Sequence, residues 1–139
     1  MEGMTITPQI KRRVYEELDY IGVSPAIRGY NYLADLVCKV LQDPRNLHQI
    51  TYMYQVVGAS WDKNGSQVER AIRHAIELVF NRMGIDSPLR YLFSYMDSNK
   101  GKPTNQEFVA TVTNAVRKGL EDEASSSEVP GQTCIAYIG

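Results

Sequence analysis

Residues 64 to 80 read N-G-S-Q-V-E-R-A-I-R-H-A-I-E-L-V-F, and the reading of the whole chain turns on this stretch. Its apolar residues Val68, Ala71, Ile72, Ala75, Ile76, Val79 and Phe80 recur at i, i+3, i+4, i+7, i+8, i+11 and i+12. That is the spacing of one face of an α-helix, and it predicts a helix over about 66–81. Asn64 can cap the helix, with Gln67 reaching back three residues later, and Ser66 with Glu69 offers a second capping box. Arg70, Arg73, His74 and Glu77 fall on the face opposite the apolar stripe.

Immediately upstream, Asp62-Lys63-Asn64-Gly65 is a short polar turn, and before it apolar spacing predicts a helix over roughly Leu47 to Trp61. Helix, short turn and second helix make a helix-turn-helix pattern, in which the N-terminal part of the second helix enters the major groove. The exposed side chains at that end are Gln67, Glu69, Arg70, Arg73 and His74. Two arginines a turn apart suit guanine O6 and N7, a glutamate accepts from cytosine N4, and a histidine donates to a base or phosphate. These five are the base-reading candidates. A Glu/Arg-rich helix face is also what an ordinary solvated surface looks like, so the charge pattern alone leaves both readings open.

Working outward, helical spacing holds nearly everywhere. A first helix is expected from about Thr7 to Tyr20, capped by Thr7, started by Pro8 and ended by Gly22. A second is expected to start at Ser24-Pro25 and stop at Asp43-Pro44, because proline disfavours helical geometry in the residue before it. A fifth begins at Ser87-Pro88 with Leu89, Leu92, Phe93 and Met96 on its apolar face. A sixth opens at Thr104, paired with Glu107 in a capping box, and buries Phe108, Val109, Val112, Ala115 and Val116. The expected fold is all-α, six helices over residues 1–119, followed by an acidic, Ser-rich tail over 120–139 that composition reads as disordered.

The net charge of −1 conceals an asymmetry. The tail holds four acids and no Lys or Arg, leaving 15 basic and 12 acidic residues over positions 1–118, a net of +3. A mildly basic body permits nucleic-acid binding without demanding it. Cys38 and Cys134 form no metal-ligand spacing, and Cys38 falls on an apolar helical face as a reduced core residue. With two histidines, His48 and His74, and no nucleophile elbow or glycine-rich phosphate loop, the sequence offers no enzyme signature. No cofactor or metal is expected. No apolar run reaches membrane-spanning length and no secretion signal is apparent, so a cytoplasmic location is expected.

The segment Q-V-E-R-A-I-R-H-A-I-E, Gln67 to Glu77, closely resembles the recognition helix of the stage-zero sporulation protein A family, which carries S-R-V-E-R-A-I-R-H-A-I-E there. Ile21 to Leu33 resembles the family's I-G-V-P-A-H-I-K-G-Y-x-Y-L, and Gly84 to Ser87 and Lys102 to Phe108 are similar to later family segments. The resemblance spans about Ile6 to Lys118. It implies a six-helix effector domain of a response regulator, a TGTCGAA-like heptamer often bound as head-to-tail pairs, and contact with an RNA polymerase sigma factor; because a receiver normally dimerises such regulators, a monomer or a weak homodimer on tandem boxes is expected here. Carried over by position, Glu69, Arg70, Arg73 and His74 match the recognition helix, and Lys63, Asn64, Ser66, Lys100 and Lys102 become phosphate-contact candidates. Gln67 stands where the family has Arg, the third helix and its turn read one residue shorter, and the family's receiver domain is not expected before Met4. These departures keep an alternative in view: a protein-interaction module that modulates a full-length regulator or sigma factor without tight DNA binding.

Overall fold

The computed structural model describes residues 3–84, 87, 92, 93 and 101–127. Helix α1 spans Pro8–Ile21, α2 Arg28–Gln42, α3 Ile50–Ser60, α4 Gly65–Arg82 and α5 Asn105–Ser127, with a 3-10 helix, Pro44–Gln49, between α2 and α3. The protein is all-α, and among the described residues there is no strand. Most of the helix expected from Ser87 onward lies outside the described residues.

The ends of these helices are written in their side chains. Thr7 Oγ1 accepts from the Ile10 N–H at 3.2 Å and opens α1, and Gly22 closes it at φ 106°, a left-handed conformation open to glycine. Thr104 and Glu107 cap each other ahead of α5, at 2.8 and 3.1 Å. Two starts differ from expectation. Ser24 does not cap α2: its hydroxyl accepts from Ala26 N, its carbonyl accepts from Ile27 N, and that turn delays the helix to Arg28. Likewise Asp43 ends α2 but caps the 3-10 helix through Arg45 N, so α3 begins at Ile50 rather than near Leu47.

The C-terminal boundary also moves. Helix α5 continues past Gly119 to Ser127, so residues 120–127, expected as the start of a disordered tail, are helical. The Arg13 guanidinium of α1 lies where a Cβ at position 119 would sit, and Arg13 bonds Glu123 at 2.8 Å. A glycine that often ends helices here lets α1 approach α5, and the ion pair extends the contact by another turn. Residues 128–139 lie outside the described residues.

One apolar core joins helices α1 to α5. Val14 and Leu18 of α1, Leu33, Leu36, Val37 and Leu41 of α2, Val57 of α3, Val68 and Ile72 of α4, and Phe108 and Val112 of α5 are buried. Cys38 is buried on α2, and burial pushes its thiol up to about 11. Phe93 lies 1% exposed between Phe80 and Phe108, with ring centroids 5.1 and 5.5 Å away. Helix α4 packs on α2 and α3 and, less extensively, on α5, and the side that remains faces solvent.

Candidate nucleic-acid interface

The turn between α3 and α4 is built by close backbone approach. Gly58 O accepts from Trp61 N and Lys63 N, both at 2.9 Å. A Cβ on Gly58 would lie 2.4 Å from Lys63 O, so only glycine permits this return of the chain. Asp62 takes the left-handed conformation, φ 57°, which Asp tolerates better than most residues. Trp61 fastens the turn to α2, donating from Nε1 to Asp35 Oδ2 at 2.7 Å and meeting the Tyr32 ring edge-on at 5.9 Å.

Helix α4 starts on a complete capping box. Asn64 Oδ1 accepts from Gln67 N and Gln67 Oε1 accepts from Asn64 N, each at 2.9 Å. Of the two boxes open to the sequence, this is the one formed. It also occupies one end of the Gln67 side chain, leaving its amide NH2 as the group free to face a ligand.

Around α4, Val68, Ile72, Ala75, Ile76, Val79 and Phe80 are buried. Ser66, Gln67, Arg70, Arg73 and His74 are exposed, and Glu69, Glu77 and Lys63 are half-buried at the margins. The five base-reading candidates therefore lie within the first ten residues of one helix, four of them fully on its solvent side. They are not equivalent. Arg73 bonds Glu69 at 2.6 Å. One turn on, Lys102 pairs with Glu77 and holds its carboxyl below the usual carboxylate range, chiefly through that hydrogen bond. Arg70 and His74 make no ion pair among the described residues. Lys100 lies outside the described residues.

Sequence reasoning missed one positioning residue. Asn105, the first residue of α5 and 9% exposed, donates from Nδ2 to the Tyr54 hydroxyl at 3.1 Å and to the Glu69 carbonyl at 3.2 Å. It ties α3, α4 and α5 together behind the exposed face, and burial raises the Tyr54 hydroxyl pKa. The only sequence signal was that Asn105 lies in the Lys102 to Phe108 segment singled out for its resemblance.

A helix buried along one side, preceded by a tight turn from a second helix and presenting arginine and histidine from its other side, defines a helix-turn-helix DNA-binding domain. The family model described as Sporulation initiation factor Spo0A C terminal matches residues 14–116. The chain belongs to that family, a DNA-binding effector domain of transcription regulators. The match covers α1 from Val14 through α4 and α5 to Val116, and so contains the whole helix-turn-helix. Among the described residues no helix is long and apolar enough to cross a membrane, and no cluster of His, Cys, Asp and Glu could hold a metal.

Proposed function

We propose that α4 reads base edges in the major groove of a TGTCGAA-like duplex, making the protein a sequence-specific transcription regulator. The observation that carries this reading is the exposure of Arg70, Arg73 and His74 on a helix whose opposite side is buried and whose start is rigidly capped. Arg70, with no ion pair among the described residues, is the main base contact. Arg73 reads a second position by exchanging Glu69 for a guanine, and His74 and the free amide of Gln67 serve the flanks. Lys63, Asn64 and Ser66 sit at the turn and first helical residues, where backbone phosphates pass a helix N-terminus. Lys102, held by Glu77, is a weaker phosphate candidate than Lys63, and Lys100 joins this set by sequence alone.

Downstream of DNA binding, the reading extends to paired boxes occupied by two weakly associating copies, to contact with a sigma factor, and to a cytoplasmic location. The decisive experiment is fluorescence anisotropy with a duplex carrying the heptamer and one with the same bases scrambled, at physiological salt. Specific domains prefer their sites by about 10³-fold or more over non-specific DNA. Equal affinity for the two duplexes would end the base-reading proposal and favour the protein-interaction module. Sedimentation with a tandem-box duplex tests the pairing of copies.

A further inference from the structure

The two flanks of α4 carry different electrostatics. On the side facing α5, cations are matched by acids, Arg73 by Glu69 and Lys102 by Glu77. On the side facing α2 lies an open groove of about 490 Å3 lined by Arg28, Lys63, Arg70 and His74 over a floor that includes Tyr32 and Ala71, and no acid lines it. Arg28 is exposed and makes no ion pair among the described residues. Its position is fixed from behind. Gly29 brings the start of α2 onto the α4 backbone so closely that a Cβ there would lie 2.5 Å from Ala71 O. Ile27, the residue before α2, provides no side-chain cap, so the positive end of that helix dipole opens on the same groove.

We propose that this groove holds a phosphate of the DNA backbone, and that Arg28, on a helix outside the helix-turn-helix, is a backbone contact that anchors this flank of α4 on the duplex. The proposal rests on the DNA-binding reading above and adds a contact to it. One uncompensated cation cluster beside a base-reading helix needs an anion, and in a docked duplex the nearest anions are the phosphates that border the groove. The paired flank near α5 has no such demand. The contact is ionic and reads no base.

The test is the salt dependence of binding between 50 and 200 mM, for the full chain and for Arg28→Gln, on both the heptamer and scrambled duplexes. Loss of one phosphate contact flattens the slope of log K against log salt by about 0.9, so that fourfold more salt weakens the original protein about 3.5-fold more than the variant. The preference between duplexes stays unchanged. Arg45→Gln is the control for net charge: Arg45 is paired to Asp43 beyond the far end of α2, about 22 Å of helix from Arg28, and its slope stays that of the parent. An unchanged slope in Arg28→Gln, or an equal flattening in Arg45→Gln, overturns the proposal. If the parent chain does not distinguish the duplexes but Arg28→Gln still flattens the slope, base reading fails and the phosphate contact stands. No binding by the parent at 50 mM removes both.

Discussion

Arg70 and Arg73 stand one turn apart on the same helix, yet their roles separate on a single distance. Arg73 is held by Glu69 at 2.6 Å, whereas Arg70 has no ion pair among the described residues. An exposed i,i+4 pair contributes only about 0.3–0.5 kcal/mol, well below the roughly 1–3 kcal/mol of a bidentate guanine contact, so Arg73 can leave Glu69 for DNA at small cost. Arg70→Ala is expected to lose about 1–3 kcal/mol of specific binding and relax preference at one base pair, checked by anisotropy on single-substituted boxes. A loss equal on every duplex would reassign Arg70 to the backbone. Away from the interface, Glu17 of α1 is a pH-sensitive position. Burial raises its pKa above 4.5, and Arg13 only partly offsets this. The folded state then holds the proton more tightly than the unfolded one, so ionised Glu17 opposes folding above its raised pKa and the effect vanishes below about 4.5. Glu17→Gln should raise the melting temperature at pH 7 and leave it unchanged at pH 3.5.

At the scale of elements, the recognition helix depends on its turn as much as on its own residues. Alanine is intrinsically better than glycine inside a helix by about 0.8–1.0 kcal/mol, so Gly58→Ala would stabilise α3 if space allowed. The 2.4 Å approach to Lys63 O reverses the sign. The substitution should cost about 1–3 kcal/mol in urea melts, as overpacking does, and should weaken specific DNA binding because the turn that aims α4 must open. Asn64→Ala removes one half of the capping box and should cost about 1 kcal/mol. The helix periods and most caps were legible in the sequence because they are local: Thr7, Gly22, Asn64 with Gln67, and Thr104 with Glu107 act within one turn. The start of α2 was misplaced because Ser24 had two local bonding options, a helix cap and a tight turn, and periodicity does not choose between them.

Across the whole molecule, Phe93 connects the C-terminal half of α4 to α5 through Phe80 and Phe108. Truncating it to alanine should destabilise the fold by about 3–5 kcal/mol, measured by denaturant unfolding, against a total of about 5–15 kcal/mol for an ordinary domain. Phe93→Leu should cost markedly less. The same scale decides the C-terminal boundary. A Ser-rich acidic run reads as tail by composition, but α1 offers Arg13 to Glu123, and α5 runs on to Ser127. That partly exposed pair contributes at most about 1 kcal/mol, so it extends α5 without stapling the domain.

The amino-acid sequence alone determined which segments coil, which side of each is apolar, and that Arg70, Arg73 and His74 face away from the packed stripe. Helical periodicity is a property of neighbours along the chain, and hydrophobic burial follows it. Only the tertiary structure decided which groups from separate elements meet: Lys102 with Glu77 on one flank, Arg28 beside Arg70 and His74 on the other, and Asn105 beneath the Glu69 backbone. Those encounters depend on how closely separate helices cross, and glycines such as Gly29 and Gly58 set that distance through side chains they lack.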